Sequence, residues 1–388
     1  MPSAAMPIRE MIERLIAFDT TSRDSNLALI HFVRDYLDGH GIASTLIHSD
    51  SEPKANLFAT VGPERDGGVV LSGHTDVVPV DGQDWSSDPF RIAERDGRLY
   101  GRGSADMKSF IAIALALVPE FQAANLNWPI HFALSYDEET GCYGVHGLLH
   151  HIEGMTTRPR AVIVGEPTSM KVVNAHKGAT SVDTVVRGLE AHSSAPEIGV
   201  NSIHYAARLV ERLAALAEEK RAQGPFNERF DPPYTTLGVG LIAGGTARNI
   251  VPRETVLKWD IRTVPGDSPD QIVARMDSDA AALLAEMRRR HPGAEIRNRI
   301  VNDVRALVAE EGSDAESLVL ALVGSNRTYA VSYGTEGGLF QSIGLPTVIC
   351  GPGDILQAHK ADEWIALEQV DACAGFMRRL AARLSETA

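Results

Sequence analysis

The chain has 388 residues, 44% of them hydrophobic and 23% charged, the balance of a soluble globular protein long enough for about two or three domains. Its formal net charge of −14 argues against nucleic acid or an anionic membrane as partner, while leaving room for a local pocket that takes a small anionic substrate. Three scattered cysteines, Cys142, Cys350 and Cys373, make no disulfide framework and point to a reducing, cytoplasmic setting. The opening stretch MPSAAMPIREMIERL carries charge where a secretory leader has its apolar core. The longest apolar run, residues 111–119, falls well short of the ~20 residues that span a bilayer. Neither secretion nor membrane insertion is expected.

In chain order, residues 8–18 pattern as an amphipathic helix with Met11, Leu15 and Ile16 on one face, and 27–37 as a second helix closed near Gly39 and Gly41. Strands are expected at 42–47, 56–61 and 69–80, then a helix at 110–118 and strands at 130–135 and 161–164. After Gly178 the order becomes strand 180–187, helix 203–217, strands 235–242 and 255–262, helix 272–290 and strand 294–301. That β-α-β-β-α-β order is the ferredoxin-like arrangement. A helix at 315–323, a strand ending near Cys350 and a helix at 367–384 resume the first pattern. The expected fold is therefore α/β: a catalytic domain with a mostly parallel central sheet (residues 1–178 and 303–388), split by an inserted α+β unit (179–302).

The chemistry concentrates where expected strands end, the place where open α/β sheets bind ligands. His74 and Asp76 are two residues apart, so on a strand they project to the same face. Asp106 follows the glycine-rich turn Gly101-Arg102-Gly103 and precedes a helix, whose N-terminus favours an ionised carboxylate. Glu138 and Glu139 follow one strand, Glu166 ends another, and His359 follows Gly351-Pro352-Gly353-Asp354. Imidazole and carboxylates together are what a hydrolytic zinc site needs. Each motif alone also reads as ordinary surface chemistry: a capping Asp, a solvated Glu pair, a turn residue before Pro167. Their joint placement is what points to a site.

The strings GHTDVVPV, GRGSADMK, DEETG, VGEPT and the distal HKADE together resemble the metallopeptidase M20 family of co-catalytic zinc aminoacyl hydrolases, over nearly the whole chain. The resemblance implies a zinc-peptidase-like catalytic domain and a lid that also dimerises. It implies two Zn2+ per chain, with Co2+ or Mn2+ as substitutes. Asp106 would bridge the ions, with His74 and Glu166 completing one site and Glu139 and His359 the other. Asp76 would hold the His74 imidazole in its working tautomer. Zinc lowers the pKa of a bound water to about 7, and Glu138 would act as general base and then acid.

In the inserted unit, the resemblance assigns His192 to a partner subunit's site and Asn249 and Arg262 to the substrate. A guanidinium matches an amino-acid carboxylate bidentately. Thr335 and Glu336 are further substrate candidates, Glu336 for a distal ammonium. Within the family, the flanks Tyr136–Cys142, Asn174–Gly178 and Gly334–Gln341 resemble the branch that hydrolyses N2-acetylornithine to ornithine and acetate, a step of arginine biosynthesis, and the resemblance implies a homodimer. N-succinyl-diaminopimelate, another N-acyl amino acid or a dipeptide is the alternative. A non-catalytic binding protein on the same fold would have lost a ligand or Glu138, and none is lost. Ser109 departs from the glycine many relatives carry there.

Overall fold

A computed structural model of the chain describes residues 6–386. They fall into two units, one made of the residues up to Ala175 with 309–330 and those from Thr335 onward, the other of 176–308 with 331–334. The inserted unit is thus wider than the expected 179–302. Its two connections are tied to each other, because His176 N–H donates to the Leu307 carbonyl at 3.2 Å.

The first unit begins with α1 (Ile8–Ile16) and α2 (Leu27–Gly39), which bury Met11, Ile12, Leu15 and Ile16, and Leu29, Ile30, Val33 and Leu37. That spacing gives each helix one apolar face. There follow β1 (Ser44–His48), β2 (Ala55–Val61), β3 (Val69–His74), and the short β4 (Ala93–Arg95) and β5 (Arg98–Tyr100). Next come α3 (Lys108–Ala116), α4 (Val118–Ala123), β6 (Ile130–Ser135), α5 (Val145–Glu153), β7 (Ala161–Pro167) and β8 (Val173–His176). Helix α3 is buried on every side, Ser109 included, which is why its sequence KSFIAIALA shows no polar face.

The inserted unit contains β9 (Gly178–Arg187), α6 (Ser202–Gln223), β10 (Thr236–Gly244), β11 (Glu254–Thr263), α7 (Pro269–Arg290) and β12 (Glu295–Val304). Its sheet order is β10-β11-β9-β12, antiparallel throughout, which is the ferredoxin-like order. Strands β9 and β11 alternate buried and less buried residues, the pattern of an antiparallel sheet with one covered face. Val182, Val186, Leu257, Trp259 and Ile261 pack there with Leu209 and Leu213 of α6 and Met276 and Leu283 of α7. The Asn201 and Ser268 side chains accept N–H bonds that start the two helices.

The chain returns through α8 (Asp314–Val323), β13 (Tyr329–Val331), α9 (Gly337–Ser342), β14 (Thr347–Gly351), β15 (Trp364–Ala366) and α10 (Leu367–Ser385). The large sheet has the order β1-β2-β6-β3-β7-β14-β8-β13. Its centre, β6-β3-β7-β14, is parallel, while β1, β2 and β8 pair antiparallel, so the sheet is mixed. In the parallel centre, His74, Ser135, Glu166 and Gly351 all stand at the same, carboxyl end. Helix α3 lies so close to β7 that a Cβ at Gly165 would come within 2.1 Å of the Phe110 ring, which sets the position of the neighbouring Glu166. Among the described residues no helix is long and apolar enough to cross a membrane.

Candidate active site

The strand expected over 69–80 stops at His74, because its parallel partner β6 ends at Ser135 and offers no further ladder. Asp76 therefore lies beyond the strand. The His74 Nδ1 meets the Asp76 backbone carbonyl at 2.9 Å and its carboxylate only at 3.6 Å. The carbonyl is the nearer partner and sets the tautomer: an Nδ1–H donated to it leaves Nε2 as the free ligand atom. The Asp76 carboxylate has a second task. Its Oδ1 accepts the Glu138 N–H at 3.1 Å, and its Oδ2 accepts the Glu139 N–H at 3.2 Å and the Ser22 hydroxyl at 2.7 Å. One buried carboxylate thus holds the histidine strand and the double-glutamate loop together.

Asp106 stands at the centre. Its Oδ1 is 3.0 Å from His74 Nε2, which is in turn 3.4 Å from Glu166 Oε1. Its Oδ2 is 3.2 Å from His359 Nε2, which is 2.9 Å from Glu139 Oε2. Each Asp106 oxygen faces its own histidine–glutamate pair. Ligand atoms of His74, Asp106 and Glu139 lie within 4.8 Å of one another, as do those of His74, Glu138 and Glu166.

The charges explain the protonation. Burial and the Asp106 charge push both Glu139 and Glu166 up to about 7. Burial also raises Glu138 well above the usual carboxylate range, with Glu166 and Glu139 adding to it. Against the cost of burial, hydrogen bonds from His359 and His74 hold Asp106 below that range. Asp106 and Glu139 raise His359 to about 10. So Asp76, Asp106, Glu138, Glu139 and Glu166 crowd together around the His74 and His359 imidazoles, more carboxylates than imidazoles. Such an excess of buried negative charge, in an imidazole and carboxylate donor set, fits divalent cations of the zinc, cobalt or manganese kind.

Glu336 lies nearby but deeper. It is 1% exposed, its Oε2 accepts the Ser72 hydroxyl of β3 at 3.1 Å, and burial raises it to about 7. In this position it offers no surface to a substrate ammonium. Thr335 is also buried, its hydroxyl accepting the Gly337 N–H at the start of α9.

The other candidates belong to the inserted unit. His192 is exposed, with Nδ1 2.7 Å from the Ser194 hydroxyl and its backbone bridged to Ile250. The Asn249 carbonyl accepts the Ser193 N–H, which places Asn249 beside His192. They border a groove of about 600 Å³ lined by Ser193, His204, Arg248 and Ile250 among others. Arg262, on β11, is half exposed and donates to Asp260 at 3.1 Å.

Two supports carried no sequence signal. Buried Lys54 donates to both carboxylate oxygens of Asp137, at 2.8 and 2.9 Å, and to the Ser22 carbonyl at 2.6 Å. It thereby pins Asp137, whose φ of 56° lies in the left-handed region, just before Glu138. Cys142 Sγ lies 3.5 Å from Glu138 Oε1, its thiol pushed well up by burial, so it stays protonated and donates to that oxygen. A lysine at a strand entrance and a cysteine in a turn look ordinary until the fold brings their partners to them.

Known proteins share this architecture. The chain is 35% identical over 383 residues to an acetylornithine deacetylase of Myxococcus xanthus, covering 97% of each. It is 32% identical over 378 residues to an acetylornithine deacetylase of Pasteurella multocida (strain Pm70), covering 96% of each. Among solved structures, the M20 family metallo-carboxypeptidase Sso-CP2 from Sulfolobus solfataricus superposes with a TM-score of 0.76 at 17% identity, over 98% of this chain and 99% of that one. The model of peptidase family M20/M25/M40 matches residues 70–383. The chain therefore belongs to peptidase family M20/M25/M40 and is a metal-dependent amidohydrolase.

Proposed function

We propose that the chain hydrolyses N2-acetylornithine to ornithine and acetate, as a two-zinc, cytoplasmic homodimer serving arginine biosynthesis. The observation that carries the reading is Asp106 with one oxygen toward His74 and Glu166 and the other toward His359 and Glu139. Near-full-length likeness to acetylornithine deacetylases supports the substrate.

His74, Glu166, Glu139 and His359, with Asp106 between them, would hold the ions, which when bound supply Lewis acidity to the carbonyl and to the attacking water. Glu138 takes a proton from that water as its oxygen bonds to the acetyl carbon. It returns the proton to the amine nitrogen as the C–N bond breaks. Asp76 keeps Glu138 aimed by holding its N–H, and the Cys142 thiol donates to its Oε1. Arg262 and Asn249 would take the substrate α-carboxylate, and His192 would donate to the developing oxyanion of a partner subunit's site.

Strand β10 supports a dimer through the inserted unit. It is an edge of its sheet and leaves Leu241 and Ile242 about half exposed, an open ladder that a second copy would cover. The deciding experiment compares kcat/KM on the zinc-loaded protein. N2-acetylornithine should exceed N-succinyl-diaminopimelate by ~10-fold or more, the scale that a mismatched acyl chain costs in a fitted pocket. A preference for the succinyl compound would overturn the assignment.

A further inference from the structure

The loop that carries Asp106 is built around a buried ion pair. Glu363 and Arg102 are 0% and 1% exposed, with Arg102 Nη1 2.7 Å from Glu363 Oε2. The glutamate does more than neutralise the guanidinium. Its Oε2 also accepts the Gly103 N–H at 3.1 Å, and its Oε1 accepts the Ala105 N–H at 2.8 Å and the Asp106 N–H at 3.1 Å. The Glu363 carbonyl takes the Gly101 N–H at 2.9 Å. One residue therefore gathers the backbone of 101–106 around itself, ending on Asp106.

Arg102 carries the same frame to the second histidine. Its Nη1 reaches the Lys360 carbonyl at 3.4 Å, and its Nη2 donates to Gln83 Oε1 at 2.6 Å. Gln83 Nε2 in turn donates to the His359 carbonyl at 3.1 Å. The guanidinium is planar, so its donors fix both directions at once. His359 itself sits at φ 61°, a conformation that a non-glycine residue keeps only where its surroundings hold it.

We propose that Glu363, Arg102 and Gln83 form a positioning relay that holds Asp106 and His359 in one rigid frame and thereby sets metal affinity at the Asp106–Glu139–His359 site. This rests on the reading of those three residues as ligands. The relay touches neither substrate nor the reacting atoms; it acts through the backbones of the residues that do. Partners of this kind behind metal ligands change affinity by about 10–100-fold when lost.

The test is competition of chelators for Co2+ bound to the full-length protein, read with the Co2+ absorption spectrum. Two variants are compared with wild type. Glu363→Gln keeps the shape but replaces one accepting oxygen by an NH2 donor, which must face either the Ala105 and Asp106 N–H groups or the Arg102 guanidinium and Gly103 N–H, donors in both cases. Gln83→Ala leaves the buried pair intact and cuts the branch to His359, together with the Trp85 Nε1–H bond that Gln83 Oε1 accepts at 3.1 Å. Wild type should bind two ions. Folded Glu363→Gln should lose ~10-fold or more affinity for one of them with a changed Co2+ spectrum. Gln83→Ala should lose several-fold at the same ion, with an unchanged melting temperature in the metal-free state.

Wild-type protein that binds no ion would sink the ligand reading itself. Two ions in wild type, with affinities and spectra unchanged in the folded variants, would sink only the relay. Should Glu363→Gln fail to fold, Gln83→Ala decides alone, and an unchanged affinity and spectrum there overturn the proposal.

Discussion

The neighbouring glutamates 138 and 139 differ in what surrounds them, and replacing each by Gln separates their roles. Glu139 Oε2 is 2.9 Å from His359 Nε2, inside one of the two histidine–glutamate pairs, so its loss removes a proposed ligand. Among the described residues Glu138 makes no ion pair, and it has the Cys142 thiol at 3.5 Å. Its charge is disfavoured first by burial and then by Glu166 and Glu139, so a neutral Gln of the same shape relieves repulsion. Glu138→Gln should therefore keep two metals per chain and leave the metal-free melting temperature unchanged or raised. Turnover should fall by ~100-fold or more, the range for losing general acid–base help, which corresponds to about 2.7 kcal/mol of barrier. Glu139→Gln should instead show its deficit first in metal binding. The assays are metal titration with elemental analysis, calorimetry of the metal-free proteins, and kcat at saturating metal. If Glu138→Gln empties the site while Glu139→Gln does not, the roles are reversed and the reasoning fails.

Thorough demetallation should abolish activity and Zn2+ should restore it; full activity in protein shown metal-free by elemental analysis would end the metal-dependent mechanism. His192→Ala should lower kcat by ~100-fold with metal content unchanged. Mixing its subunits with Glu138→Gln subunits should recover activity in heterodimers, and no recovery after verified exchange would exclude action across a dimer. His131, stacked on Phe58 and 2.9 Å from the Thr60 hydroxyl, is lowered by burial to about 4. Above pH 6.5 its ring is neutral folded and unfolded, so it contributes no pH dependence. Between 6.5 and 4 the unfolded chain binds a proton that the folded chain refuses, so stability falls with pH, by about 3 kcal/mol in full. His131→Gln should flatten that part of the stability profile in denaturant melts, and parallel profiles for the two proteins would refute the assignment.

The periodicity of single segments was enough for most long elements. The faces of α1 and α2, the unbroken apolar strands of the parallel centre and the β-α-β-β-α-β run of the inserted unit are local patterns, set by helical and strand repeats. Residue chemistry at element ends, read together with the family resemblance, named His74, Asp106, Glu138, Glu139, Glu166 and His359 as candidates before any contact was known. Other features depended on long-range packing. Helices α5 and α9 carry interior or leading glycines, in VHGLLHHIE and GGLFQS, and form because the sheet packs against them rather than by propensity. Strands β4, β5 and β15 have three residues each, too few to show a repeat. Val77 and Val80 look like strand residues, yet β3 ends at His74 because a ladder lasts only as long as its neighbour.

The site itself is a property of the fold. His74 and His359 lie 285 positions apart, and only tertiary structure gives each one a different oxygen of Asp106. The same holds for Lys54 against Asp137 and for Glu363 beneath the Asp106 loop. A buried charge is tolerable only with its partner in place, and the sequence names the charges without naming the pairs.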